Sequence, residues 1–125
     1  MKCSLVLLLS LVSAGWVCAQ VQEKWVARYH NLGSVYDIAY AVAVDAADNV
    51  YVTGQSAGTG TNLDYTTAKY DPDGNELWVA RYDGPDNNND ASAIALNAAG
   101  NVCVTGRSAN GPLSSDFATV TYAQQ

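Results

Sequence analysis

The side chains that could do chemistry in this chain are mostly carboxylates, amides and aromatic rings. Asp71-Pro-Asp-Gly-Asn75 has the look of an opening calcium loop, with oxygen donors at alternate positions. An EF-hand loop needs glycine at its sixth position and a bidentate glutamate at its twelfth, and Glu76 and Tyr82 stand there instead. The segment therefore reads as a hairpin turn. Asp86, Asn88 and Asp90 alternate oxygen donors along the connection Asp86-Asn-Asn-Asn-Asp90 and are the candidate ligands for weak calcium binding, the one cofactor the sequence suggests. The other reading of that connection is a solvated loop.

Nucleophilic and metal chemistry have little to draw upon. His30 is the single histidine, and Cys103 is the one cysteine beyond residue 19, so a zinc site or a Cys/His pair lacks its residues. No phosphate-cradling glycine loop is present. Asp64 and Asp116 stand at corresponding places in two similar segments. Paired carboxylates for glycoside hydrolysis need unlike environments, so this pair reads as structural, and no catalytic residue is assigned. Trp25, Tyr29, Trp78 and Tyr82 are the candidate ligand-binding residues. Four-residue spacing puts each Trp/Tyr pair on one face of an extended strand, where the rings either pack between layers or form a platform for a sugar or peptide.

Those aromatic pairs belong to a tandem repeat. Trp25-Val-Ala-Arg-Tyr29 returns as Trp78-Val-Ala-Arg-Tyr82, and Asn49-Val-Tyr-Val-Thr-Gly54 returns as Asn101-Val-Cys-Val-Thr-Gly106, displaced by 53 and 52 residues. A period of about 50 residues belongs to propeller blades rather than to helical solenoids. Apolar and β-branched runs alternate with Gly/Asp/Asn/Pro clusters without helical periodicity, which predicts an all-β chain. Ala41–Asp45 and Val50–Gly54 flank a short turn, Asp64–Tyr70 follows a Gly/Thr-rich loop, and Leu77–Tyr82 follows the turn at Asp71–Asn75. Four consecutive strands with hairpin-length connections make one blade. Along Ala41-Val-Ala-Val44 neither face is polar, so both faces of that strand are expected to be buried.

The expected organisation is a signal peptide over 1–19, then a two-repeat segment over 20–125 with strands at 24–29, within 40–82 and within 91–122. These would build two four-stranded antiparallel propeller-type blades, a partial β-propeller. Lys2, the apolar run Leu5–Val12 and the small-residue site Val17-Cys-Ala19 support export with cleavage after Ala19. The bulky Trp16 and Val17 fit poorly with lipidation of Cys18. The apolar run is too short to span a bilayer, so no membrane span is expected. With one cysteine left, the fold is held by packing rather than disulfides. A formal net charge of −6 with scattered basic residues argues against nucleic acid and anionic membranes as partners.

The run Ala41–Gly54 followed by Asp64–Trp78 resembles the SBBP (seven-bladed β-propeller) repeats of bacterial secreted and cell-surface proteins, over nearly all of the chain beyond residue 19. The Gly-Gly, Gly-His and Trp-Asp signatures of kelch and WD40 repeats are absent. The resemblance implies a secreted or cell-surface, non-enzymatic binding or scaffold module with an extracellular glycan or protein ligand. Two blades cannot close into a ring alone, since propellers use four to eight. The expected partner is therefore a second copy completing the ring; the alternatives are a truncated remnant of a longer propeller protein and an exported propeller hydrolase or lyase.

Overall fold

The computed structural model describes residues 19–33, 35–58 and 62–124. The expected signal peptide falls almost entirely outside these residues. The chain is all-β, with seven strands: β1 (Asp37–Val44), β2 (Val50–Ala57), β3 (Leu63–Tyr70), β4 (Glu76–Tyr82), β5 (Asn89–Leu96), β6 (Val102–Ala109) and β7 (Ser115–Tyr122). The first four form one antiparallel sheet in chain order, sheet A, and the last three form sheet B. Among the described residues no helix is long and apolar enough to cross a membrane.

Three of the hairpins share one device. In Asp45–Asn49, Asp71–Asn75 and Asn97–Asn101 the first residue's backbone and the last exchange a hydrogen bond, and the fourth residue has positive φ: Asp48 at 64°, Gly74 at 86° and Gly100 at 82°. That left-handed position is why the sequence places Asp or Gly there. The opening side chain then accepts the amides of the third and fifth loop residues: Asp45 from Ala47 and Asn49, Asp71 from Asp73 and Asn75, Asn97 from Ala99 and Asn101. Its oxygen does locally what a ladder partner would otherwise do.

The sheets also share a bulge. Pairing slips between Ala39 and Ala41 against β2, and between Ala91 and Ala93 against β6. There the backbone of the bulged strand closes on Gly54 and Gly106, where a Cβ would collide with the carbonyl oxygens of Ile38 and Asp90. A bulge of this kind bends its strand and tightens the twist.

Strand alternation gives each sheet two distinct faces. The tyrosine face of sheet A carries Ala41, Ala43, Tyr51, Thr53, Tyr65, Thr67, Trp78 and Tyr82; its valine face carries Val42, Val44, Val52, Gly54, Thr66, Ala68 and Tyr70. In sheet B the valine face carries Ile94, Leu96, Val102, Val104, Ala118, Val120 and Tyr122, and the opposite face carries Cys103, Thr105, Phe117 and Thr119. The core lies where the tyrosine face of sheet A meets the valine face of sheet B: Tyr51, Tyr65, Ala91, Val102 and Val104 are buried, flanked by Trp78, Tyr82, Ile94, Leu96, Ala118, Val120 and Tyr122. The two sheets thus stack in one sense, unlike face on unlike face.

Three expectations differ from this architecture: to begin with, where a second four-stranded blade was expected, sheet B has three strands among the described residues. Residues 24–29 form no ladder, although the same sequence forms β4 when it recurs. A fourth strand needs a third strand beside it, and among the described residues none pairs with residues 24–29. The first strand, expected to be covered on both faces, is covered on one: Ala41 and Ala43 are partly buried, whereas Val42 and Val44 are 63% and 57% exposed. Their counterparts Ile94 and Leu96 are packed into the core, because sheet B has a neighbour on its valine face and, among the described residues, sheet A has none beyond residues 25–29.

Candidate functional site

Residues 25–29 lie over the valine face of sheet A. The Trp25 ring lies 6.1 Å from Tyr70, tilted by 37°, and its Nε1 donates to the carbonyl of Pro72 at 3.1 Å. Gly74 makes room for that ring, since a Cβ there would press on Trp25. The same relation recurs one layer on, where Trp78 stands 6.2 Å from Tyr122. Residues 25–29 therefore occupy, above sheet A, the place that β4 occupies above sheet B.

Between this segment and the sheet is an open cleft of about 220 Å³ bordered by Trp25, Tyr29, Ile38, Val52, Thr66 and Tyr70. Its floor is apolar and aromatic, and burial raises the pKa of the Tyr70 phenol. The Thr66 hydroxyl is buried with no hydrogen-bond partner among the described residues, as is Oδ1 of neighbouring Asp64. A buried donor left unmatched is costly, and this one lies at the cleft floor where an incoming acceptor could match it.

Tyr29, at the border of the cleft, is held by Arg81. Its guanidinium donates to Asp64 Oδ2 at 2.8 Å, to the Ser56 carbonyl at 3.0 Å and Oγ at 3.1 Å, and to the Tyr29 hydroxyl at 3.2 Å. Burial disfavours its charge, but the bonds to Asp64 and Tyr29 more than offset this and raise its pKa. Ser56 Oγ in turn donates to Asp37. Arg81 thus ties β4 to β2 and β3, and to the N-terminal segment.

The four aromatic candidates separate into two environments. Trp25 and Tyr29 border the open cleft, whereas Trp78 and Tyr82 pack against the inter-sheet core, Tyr82 edge-on to Tyr65 at 5.3 Å and Trp78 at 6.1 Å from Tyr51. The outer side of Trp78 borders a shallow groove with Lys69, Leu77, Tyr122 and Gln124. The residues of the cleft that sequence reading passed over are Tyr70 and Thr66. Tyr70 was recoverable, because it and Tyr122 hold the same place before each Trp-bearing or terminal segment; the orphaned hydroxyl of Thr66 is a consequence of packing alone.

Asp86, Asn88 and Asp90 have partners of their own. Asp86 accepts from the Asn87 amide, the Asn88 carbonyl accepts from Ala109, and Asp90 Oδ2 takes Arg107 Nε at 2.8 Å. Among the described residues no three His, Cys, Asp or Glu side chains gather as a metal-ligand group. Asp64 is held by Arg81, while Asp116 accepts from Asn110 of its adjoining loop. His30 lies 3.5 Å from Asp37, and Cys103 is a free thiol that accepts from Thr121. No protein-family model matches the chain, and no curated protein matches it.

Proposed function

We propose that the chain is an exported, non-enzymatic scaffold module of β-propeller type, related to SBBP repeats, that acts by binding at the Trp25/Tyr29/Tyr70 cleft. The observation that carries this reading is the repeated layer geometry: Trp25 sits on Tyr70 as Trp78 sits on Tyr122, so successive units stack like blades and leave one aromatic cleft open. Apolar, mostly preformed concavities with a few polar groups are the usual form of a recognition site. The carboxylates nearest the cleft support binding over turnover, because Asp64 and Asp37 are engaged by Arg81 and Ser56 rather than poised as an acid and a base.

The ligand classes this cleft suits are an extended protein segment or a glycan at the cell surface, both of which use ring faces. Weak calcium binding at Asp86, Asn88 and Asp90 would require Asp90 to exchange Arg107 for the ion. The test is a binding screen of the purified chain against extracellular glycans and proteins, run beside turnover assays on polysaccharides. Binding that is lost in Trp25→Ala, with no turnover, is the expected result; turnover that survives that substitution sinks the reading.

A further inference from the structure

We infer that the cleft receives a second copy of this chain, whose sheet B docks on the valine face of sheet A as the chain's own two sheets dock on each other. This rests on the reading of the cleft as a recognition surface and names its occupant.

The intramolecular interface is a template. It joins the tyrosine face of sheet A to the valine face of sheet B, so the surfaces left open are the valine face of sheet A and the opposite face of sheet B, the same pair of faces in the same order. Burial follows this rule at several positions, although Thr66, Ala68 and Tyr70 on the valine face of sheet A are already buried. Tyr65 is fully buried within the interface while its counterpart Phe117 is 86% exposed on the open face of sheet B. Conversely, Val104 and Ala91 are fully buried, while their counterparts Val52 and Ala39 border the cleft. Exposed rings and branched aliphatics on opposite ends of one molecule are the arrangement that makes head-to-tail contacts.

The strand edges match as well. Among the described residues β7 has no partner on its outer edge, and residues 24–29 have no ladder although they already lie where a fourth strand belongs. In sheet A, β3 pairs with β4 through Tyr65↔Tyr82, Ala68↔Val79 and Lys69↔Trp78. Carried over by the repeat, Phe117, Val120 and Thr121 of one copy face Tyr29, Val26 and Trp25 of the next. In this register Arg28 of the second copy meets Asp116 of the first, as Arg81 meets Asp64 within the chain. Arg28 and Asp116 are both exposed and neither has an ion pair among the described residues.

The test is the native mass of the full chain by light scattering over a dilution series, for the parent and for Arg28→Glu, Asp116→Arg, their double variant and Phe117→Asp. The parent forms a discrete multimer or a concentration-dependent stack. Each single charge reversal weakens association by about tenfold or more, the double reversal recovers it, and Phe117→Asp abolishes it, all with unchanged thermal melts because these side chains are exposed in the monomer. A parent that stays monomeric, or a multimer indifferent to all four variants, overturns the inference. A monomer that binds a glycan or an unrelated protein through Trp25 overturns the inference and leaves the proposed function standing; one that binds nothing removes both.

Discussion

Asp45 does more than its exposure suggests. One carboxylate oxygen accepts two backbone amides and the other accepts Asn49 Nδ2 and the Tyr51 hydroxyl, each at 2.9 Å. The bond from the Asn49 side chain, aided by the backbone amides and Tyr51, lowers its pKa from 3.8 to about 2. A carboxyl whose folded pKa is depressed stabilises the fold above its unfolded value, and that contribution is lost as pH falls from about 4 towards 2. Asp45→Ala is expected to cost about 1–2 kcal/mol at neutral pH, a fall of roughly 5–10 °C in melting temperature. Asp45→Asn keeps most of the fold, since Asn97 already fills this role in the third hairpin. Melting the three proteins between pH 2 and 7 checks both points: the parent loses stability in acid faster than Asp45→Asn does.

At the scale of elements, the two bulges and the N-terminal segment make opposite predictions. Gly106→Ala drives a methyl into the Asp90 carbonyl, which backbone on both sides prevents from yielding; a loss above about 2 kcal/mol is expected by denaturant titration. Trp25→Ala leaves the ladders intact and removes only the docking of residues 25–29 on Tyr70 and Pro72. Its expected signature is a smaller loss, about 1–3 kcal/mol, with faster tryptic cleavage after Arg28. These elements also mark what the sequence made legible. The turns after Asp45 and at Asp71–Asn75 and the recurrence of Trp-Val-Ala-Arg-Tyr were enough to make the all-β class legible, because each signal is local. Whether Trp25-Val-Ala-Arg-Tyr29 is a strand was not, because a ladder depends on a neighbour that local signals do not contain. For the same reason Val42 and Val44 read as buried, and their exposure was visible only once that part of sheet A was seen to lack a covering layer among the described residues.

On the scale of the whole molecule, the stacking of sheet A on sheet B predicts how tightly a second copy would be held. Within the chain the Tyr65 hydroxyl donates to the carbonyl of Ala118 at 3.2 Å, an oxygen that also accepts from Thr105. The counterpart of that carbonyl on the open valine face is Thr66, which already accepts from Thr53 in the matching way. The counterpart of Tyr65 is Phe117, which reaches the same place without a hydroxyl to donate. Phe117→Tyr therefore supplies the bond that the intermolecular contact lacks. A neutral hydrogen bond formed in a buried interface is worth about 0.5–1.5 kcal/mol, so the variant is expected to associate about two- to tenfold more tightly. Because residue 117 is exposed in the monomer, its melting temperature at high dilution stays at the parental value. Tyr65→Phe removes the equivalent bond inside the chain and does the reverse, lowering the melt by about 1 kcal/mol of stability while leaving association within a factor of two. Sedimentation over a dilution series beside thermal melts separates the pair, and equal behaviour of the two variants would mean that the interface between copies is not built like the one within the chain.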